Sequence, residues 1–326
     1  MVVGNNGKVK VKNQVVTENY CIYNDDCCEA IKGIRSESVG FSVFSPPFAS
    51  LYSYSDDNKD MGNAKTYKEF FIHFGFLVAE LHRVLMPGIV VAVHCMDLPV
   101  FKANEGHIGM RDFSGDIIRL FQKHEFIYHS RHCIWKDPLV AATRSKSIQL
   151  AHKQIVKDSA LCATGIPDYI VAFRKGGENP VPIAHPNGLT EYAGERPIPW
   201  NLDVYIGSVE PKTNKRSHWI WQQYASPVWF DIRQTRVLPY RGGREEEDQR
   251  HICPLQTDVV ERCLTLWSAK DDKVLTPFMG VGTEVYEAVR LGRKGIGIEL
   301  KTSYFKMAKR NLESLKYKQT AGGFSE

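Results

Sequence analysis

Residues 276–299 read TPFMGVGTEVYEAVRLGRKGIGIE and run from an apolar strand through a glycine-containing turn and a helix to a second strand. Gly280 and Gly282 lie in the turn, a helical spacing of apolar residues follows, and GIGIE has the character of a short buried strand. A strand, a helix and another strand in this order predict a βαβ unit with parallel strands.

The same unit predicts a site for an adenosine-type cofactor. Small residues before a helix let a ligand approach the backbone, and Glu299, at the end of the second strand, can accept hydrogen bonds from a ribose diol. Glu284 near the helix start would repel a pyrophosphate, and the chain has no GxxxxGK loop, which favours a cofactor with a cation and an amino-acid group. A nicotinamide enzyme or a simple tight turn would show the same glycine spacing.

Strands and helices alternate through most of the chain. The helical segment 66–85, with a Thr66 cap and a Pro87-Gly88 stop, connects the strands VGFSVF (39–44) and IVVAVHC (89–95). Further elements are predicted at 114–126 (helix), 126–135 (strand), 168–174 (strand), 256–268 (helix) and 303–315 (helix). This alternation predicts an α/β fold with a mainly parallel sheet.

The composition of the chain changes between Gly176 and Arg250. This segment is rich in prolines, glycines, tryptophans and arginines and lacks the helical periodicity of apolar residues. We expect an insertion there, with Trp219, Trp221 and Trp229 forming a small core. The predicted division of the chain is an N-terminal extension (1–19), a first half of the main domain (20–175), the insertion (176–250), a second half (251–318) and a tail (319–326).

Composition sets broad limits. The chain has 326 residues, 43% of them hydrophobic, with 42 Lys and Arg against 37 Asp and Glu, a mild basic excess that permits a polyanionic partner. Its eight cysteines show no CxxC pair, so we expect reduced thiols in an intracellular protein, and no metal site. No segment has the apolar run of an export signal or a membrane span.

A second informative stretch, SVFSPPFASLY at residues 42–52, breaks an apolar strand with two prolines. Taken alone, a strand-ending turn with an exposed aromatic explains it better than catalysis. However, FSPPF matches the (D/N/S)PP(Y/F/W) signature of amino-directed DNA methyltransferases, and TPFMGVGTE…GRKGIGIE resembles their cofactor motif DPFxGSGTT…GRxxIGIE. The catalytic motif precedes the cofactor motif here, as in the permuted (beta) class of cytosine-N4 and adenine-N6 methyltransferases.

Other segments are similar to the same family in the same order. YNDDCCEAIKGIRSESVGFSVFSPPF (23–48) places Asp26 at the family's acidic position, LHRVLMPGIVVAVHC (81–95) looks like xxRVLKPGGxxVI, and HICPLQTDVVERCLTLWS (251–268) looks like motif X. The resemblance implies a Rossmann-like methyltransferase fold with a seven-stranded sheet, helices on both faces and an inserted target-recognition lobe. It also implies S-adenosylmethionine as the cofactor.

Residue roles follow from the resemblance. The catalytic segment would be Ser45, Pro46, Pro47 and Phe48, in which the Ser45 hydroxyl and the Pro46 carbonyl accept hydrogen bonds from the target amino group and Phe48 stacks on an extruded base. The cofactor would contact Asp26, His251, Leu255, Thr276, Phe278, Gly280, Gly282, Thr283 and Glu299. Thr276 and Glu284 depart from the family's usual Asp and Thr, so the charge at the methionine end of the cofactor site differs from the family's pattern.

DNA contacts are expected from basic residues of the insertion, by analogy with the family's recognition region. These are Lys212, Lys215, Arg216, Arg233, Arg236, Arg241 and Arg244. For each of them a solvated basic loop is the alternative.

The sequence thus indicates a DNA methyltransferase of bacterial or phage origin that modifies an exocyclic amino group. Serine in SPPF favours cytosine N4, with adenine N6 as the alternative; cytosine-5 chemistry would need a Pro-Cys nucleophile, which the chain lacks. A catalytically inactive DNA-binding protein and a dinucleotide enzyme are the competing classes. DNA is the expected partner, and a homodimer and a cognate restriction nuclease remain open.

Overall fold

The computed structural model describes residues 9–48, 60–145, 147–195, 215–243 and 254–321. In these ranges the strands are β1 Asn13–Val16, β2 Tyr20–Asn24, β3 Phe41–Phe44, β4 Val90–Cys95, β5 Leu98–Val100, β6 Gly109–Arg111, β7 Phe126–Ile134, β8 Asp168–Lys175, β9 Val228–Trp229, β10 Lys273–Thr276 and β11 Lys294–Glu299. The helices are α1 Cys27–Ala30, α2 Tyr67–Val84, α3 Lys102–Glu105, α4 Phe113–Lys123, α5 Pro138–Ser145, α6 Lys153–Lys157, α7 Lys215–Ala225, α8 Thr257–Trp267, α9 Thr283–Arg290 and α10 Thr302–Ala321. None of these helices has the length and apolar character needed to cross a membrane.

One large sheet organises the molecule, with the strand order β1-β2-β11-β10-β3-β4-β8-β7-β9. Strands β2, β11, β10, β3 and β4 are parallel to one another. Strand β8 runs antiparallel to both of its neighbours, β4 and β7. The predicted α/β fold with a mainly parallel sheet is confirmed. The sheet is wider than the expected seven strands because β1 and β9 add one strand at each edge.

Helices cover both faces of the sheet. Along β3, Phe41 and Val43 enter one hydrophobic cluster, together with α8, while Phe44 enters another, together with α2 and α4. This alternation follows from the period of two residues in a strand. A buried parallel sheet needs cover on both sides, which explains the nearly continuous apolar runs of β3 and β4.

Helix α2 illustrates how local sequence sets these elements. The Thr66 hydroxyl accepts a hydrogen bond from the Glu69 N–H at 3.1 Å, which caps the helix as expected. The helix ends at Val84, with Leu85 as its C-cap, just before Pro87 and Gly88, and Gly88 adopts a φ of 72°. After the helix, the chain enters β4, which lies beside β3 and parallel to it.

The strand order changes direction between β3 and β10. From β3 the chain crosses through α2 to β4 on one side, and from β10 it crosses through α9 to β11 on the other. Loops that diverge from neighbouring parallel strands leave a crevice at the carboxyl edge of the sheet, where α/β proteins bind ligands. Both stretches singled out in the sequence leave the sheet at this point.

The predicted insertion is only partly separate from the main sheet. Leu189, Trp219, Ile220 and Tyr224 form a small cluster around α7, but β9 pairs with β7, and Trp229 is fully buried in the main core. Trp221, expected in the small core, is instead 57% exposed.

Candidate active site

The carboxyl edge of the sheet brings most of the predicted site residues together. Asp26 follows β2, Glu299 ends β11, the glycine turn follows β10, and Ser45–Phe48 follows β3. Strands β3 and β10 are adjacent and parallel, with Ser42 opposite Leu275. The two motifs, more than 200 residues apart in sequence, therefore start from neighbouring strand ends.

The glycine turn is shaped by two left-handed residues, Gly280 with a φ of 53° and Gly282 with a φ of 93°. A side chain at Gly282 would meet Ala308 at 3.1 Å, so this glycine allows α9 and α10 to pack closely. A side chain at Gly280 would meet no atom within 4 Å. Gly280 therefore exposes backbone to open space just before a helix N-terminus, where a ligand can approach.

Glu299 is tied to this turn. Its carboxylate accepts hydrogen bonds from the N–H of Gly280 and the N–H of Lys301, each at 2.8 Å. Burial raises the pKa of Glu299 to about 7, although the two N–H groups act in the opposite direction. Each carboxylate oxygen keeps a lone pair for a further donor, as a ribose hydroxyl would provide.

Glu284 places a second carboxyl in the same region. Its side chain is 4% exposed in the first turn of α9, and burial, with a smaller contribution from Glu299, raises its pKa to about 8. Such a pair disfavours an anionic ligand and favours a cationic one, because a positive charge would relieve the cost of ionising both groups.

The other predicted cofactor residues differ in their surroundings. Thr276 is buried, and its hydroxyl has no hydrogen-bond partner within the described part of the chain. The Phe278 ring is half-buried and lies 5.8 Å from the Phe44 ring, which links the two motifs directly. Leu255 is buried in the core beside β3, a packing position, and His251 lies outside the described residues.

Asp26 serves as the N-cap of α1, because its carboxylate accepts a hydrogen bond from the Cys28 N–H at 2.7 Å. Possible metal-ligating atoms of Asp26, Cys27 and Cys28 lie within 4.8 Å of one another. A hydrogen bond with Cys28, together with burial, raises the pKa of the Cys27 thiol well above its usual range.

The Ser45–Phe48 segment leaves the sheet with Ser45 and Phe48 half-buried and Pro46 buried. The Phe48 ring lies 6.3 Å from the Phe113 ring and 6.4 Å from the His94 ring. Because proline has no N–H, the chain at Pro46 and Pro47 offers oxygen acceptors without competing donors.

A buried polar network that was not predicted from the sequence supports Ser45. His94, the fifth residue of β4, lies with Nδ1 at 3.0 Å from the Ser45 hydroxyl and with Nε2 at 3.0 Å from the Asp168 carboxylate. Lys136 forms an ion pair with the same Asp168 oxygen. Burial opposes the charge of Asp168, but the neighbouring Lys136 and His94 outweigh it and hold the pKa of this carboxyl well below its usual range.

The sequence did contain a signal for this network. His94 interrupts the apolar strand IVVAVHC, and Asp168 starts the apolar strand DYIVAFR. Polar residues are rarely buried at such positions without partners, so two of them on strands of one sheet suggest a contact. What could not be read from the sequence is that β8 lies directly beside β4.

The basic residues predicted to contact DNA differ in whether they form ion pairs within the protein. Arg233 and Arg236 both bind the buried Asp258 of α8, at 2.6 Å and 2.7 Å. Their guanidinium groups hold the segment before α8 in place, so their geometry gives no support to the predicted DNA contacts. Arg216 and Arg241 are exposed and Lys215 is half-buried, whereas Lys212 and Arg244 lie outside the described residues.

The sheet, the glycine turn and the neighbouring strand-end motif define the class of Rossmann-like methyltransferases, and solved methyltransferase structures share this fold. A family model described as DNA methylase matches residues 39–310, which include both motifs. The chain belongs to this DNA methylase family of N6/N4 methyltransferases.

Individual relatives are distant. M.MjaI, a Type II methyltransferase of Methanocaldococcus jannaschii, is 24% identical over 69% of this chain, and the chain spans 61% of its length. M.BglI, a Type II methyltransferase of Bacillus subtilis, is 23% identical over 93% of this chain and 88% of its own length.

Two solved structures are similar at the level of fold. The PvuII DNA methyltransferase (cytosine-N4-specific) has a TM-score of 0.58 and 15% identity, with 93% of this chain and 90% of that chain covered. TTHA0409 of Thermus thermophilus, complexed with S-adenosyl-L-methionine, has a TM-score of 0.58 and 19% identity, with 91% of this chain and 95% of that chain covered.

Proposed function

We propose that this protein is an S-adenosylmethionine-dependent DNA methyltransferase that modifies the exocyclic amino group of cytosine at N4. One observation carries the proposal: Ser45-Pro46 and the glycine turn follow the ends of two neighbouring parallel strands, β3 and β10. The rings of Phe44 and Phe278 contact each other between the two segments. Family membership and the Type II methyltransferase relatives support DNA as the substrate. The serine of SPPF supports cytosine over adenine.

The chemistry of an exocyclic amino group explains the need for fixed acceptors. Its lone pair is delocalised into the base ring, so the nitrogen is a poor nucleophile. Acceptors that bind both N–H groups favour a more tetrahedral nitrogen and free the lone pair. The Ser45 hydroxyl oxygen and the Pro46 carbonyl would supply these acceptors, and fixed groups of this kind need no reorganisation during the reaction.

The target base must leave the duplex, because its amino group is otherwise paired and stacked. Phe48 lies beside the two acceptors and would stack on the extruded base. Its packing against Phe113 and His94 fixes the orientation of the ring.

The cofactor supplies an electrophilic methyl group when bound. The open backbone at Gly280 and the Glu299 carboxylate would hold its adenosine part, and the buried Thr276 hydroxyl is available as a further partner. The N-terminus of α9 would attract the cofactor's carboxylate, while Glu284 favours its positive charges. The residues present therefore fit a cationic, adenosine-containing group.

The proposal is tested by incubating the protein with isotopically labelled S-adenosylmethionine and PCR-amplified genomic DNA, then identifying the labelled nucleoside by mass spectrometry. We expect N4-methyldeoxycytidine. N6-methyldeoxyadenosine would assign the activity to adenine, and sequence-specific DNA retention with no methylation would indicate an inactive DNA-binding protein.

The two buried carboxyls predict an unusual pH dependence. Folding raises the pKa values of Glu284 and Glu299 to about 8 and about 7, from a usual 4.5. Their contribution to stability is present below pH 4.5 and is lost as the pH rises through 7 and 8, at ~1.4 kcal/mol per pH unit for each group. The unliganded protein should therefore melt at a lower temperature at pH 8.5 than at pH 6.5.

The variant Glu284→Gln isolates this effect. It should stabilise the unliganded protein relative to the wild type at pH 8.5 but not at pH 5, as measured by thermal unfolding. The stabilisation by S-adenosylmethionine should increase with pH in the wild type, because a cation binds the ionised carboxylates better. Equal destabilisation of the variant at both pH values would contradict the assignment.

A further inference from the structure

The network behind Ser45 has a definite hydrogen-bond direction. Asp168 is 2% exposed and paired with Lys136, which keeps it a carboxylate and therefore an acceptor only. The imidazole Nε2 of His94 must then donate to Asp168. In a neutral imidazole the other nitrogen, Nδ1, carries no proton, so the Ser45 hydroxyl donates to it.

Lys136 forms an ion pair with the same Asp168 oxygen that His94 contacts. Lys136 therefore balances the charge of the buried carboxylate beside His94. Two other charged groups of the described residues lie near β4: Arg131 of β7 stacks on Tyr169, and Asp97 accepts a hydrogen bond from the Ser114 N–H.

This direction resolves an ambiguity in the catalytic segment. A serine hydroxyl can donate or accept, whereas activation of an amino group requires an acceptor. Because the Ser45 proton is directed toward His94, the oxygen lone pairs remain for the amino group of the base. The network thus gives a serine the acceptor character that an aspartate has by itself.

We propose that His94, Asp168 and Lys136 are positioning residues that fix Ser45 as an acceptor and take up the proton released by the reaction; this rests on the proposed function. When the amino nitrogen forms its bond to the methyl carbon, the carbon–sulfur bond breaks and the electron pair stays on sulfur. One N–H proton passes to Ser45, whose hydroxyl proton passes to Nδ1 of His94. The positive charge of the sulfonium thereby becomes an imidazolium charge that faces Asp168.

The test uses single-turnover methylation with a target oligonucleotide identified from the labelled DNA. His94→Asn should lower the rate constant ~10²-fold, in the range typical for positioned proton transfer, with the cofactor Kd changed less than about threefold. The wild-type rate should fall at low pH with the titration of one group, and His94→Asn should lack this fall.

A double variant separates the relay from a purely structural role. If His94 acts through Ser45, Ser45→Ala/His94→Asn should be no slower than Ser45→Ala alone, within about threefold, because the residues act as a unit. Losses that multiply would overturn the proposal. His132→Asn is the matched control: His132 is a buried histidine of β7 that binds the Ser226 carbonyl, and its loss should lower the melting temperature without changing the pH profile.

The tautomer provides a readout that does not depend on activity. In ¹⁵N-histidine-labelled protein near pH 7.5, the NMR signals of His94 are identified as those that are absent in His94→Asn. If that variant does not fold, they are identified as those that shift in Ser45→Ala. We expect these signals to show that the His94 ring carries its proton on Nε2. A proton on Nδ1, or wild-type kinetics in His94→Asn, would overturn the relay while leaving wild-type methylation intact. Failure of the folded wild type to methylate any DNA would overturn the proposed function and the relay with it.

Discussion

Ser45→Ala is expected to lower the single-turnover methylation rate constant ~10²–10³-fold, the usual effect of removing one fixed hydrogen-bonding group that acts in the transition state. The side chain is half-buried at the end of β3, and its hydroxyl contacts His94. Cofactor affinity should change less than about threefold, because the residues proposed to hold the cofactor follow β2, β10 and β11 rather than β3. The rate constant is measured by single-turnover quenched-flow reactions, and the cofactor Kd is measured by a separate titration.

Ser42→Ala is the matched control, because Ser42 lies in β3, three residues before Ser45. Its hydroxyl is fully buried and donates to the Leu275 carbonyl at 2.8 Å, between β3 and β10. This variant should lose about 1 kcal/mol of stability and keep its rate constant at a temperature where it is folded. Equal losses of rate and cofactor affinity in Ser45→Ala would contradict the role assigned to the hydroxyl.

The sequence predicted the features that depend on local pattern or on the ends of adjacent strands. The Thr66 cap, the stop at Pro87-Gly88 and the final βαβ unit each follow from residues close together in the chain, and the structure shows all three. The two motifs lie close together because the carboxyl ends of the adjacent parallel strands β3 and β10 share one edge of the sheet.

Long-range polar pairing was the part that the sequence could not provide. His94 and Asp168 are 74 residues apart and meet only because β8 inserts antiparallel between β4 and β7. Arg233 was predicted to contact DNA because it lies in a basic segment of the insertion. The structure shows that Arg233 pairs with Asp258, which is fully buried in α8, and an acidic residue in the first turn of a helix gives no indication of burial.

Arg262 is a further example of such hidden pairing and carries the second large prediction. It lies fully buried in α8, donates to the Ala193 carbonyl at 2.8 Å and forms an ion pair with Asp231 at 2.5 Å. The guanidinium also lies over three aromatic rings: Tyr192 at 5.4 Å, Tyr224 at 4.9 Å and Trp229 at 5.2 Å. The side chain therefore joins α8 to both described parts of the predicted insertion.

Arg262→Met is expected to reduce the free energy of unfolding by ~3–5 kcal/mol, because it leaves Asp231 buried without its cationic partner. The expected readout is a lower urea midpoint. Arg119→Met is the control, since Arg119 pairs with Asp116 on the exposed face of α4 with 62% of its side chain accessible, and surface pairs contribute about 0–1 kcal/mol.

The size of the loss should depend on Asp231 rather than on the arginine's volume. Methionine can fill much of the space among the aromatic rings, so packing alone would predict a small change. If the unpaired carboxylate dominates, adding Asp231→Asn to Arg262→Met should recover part of the stability, because an amide is less costly to bury than a charge. A double variant less stable than Arg262→Met would show instead that the aromatic contacts of the guanidinium hold the insertion against α8.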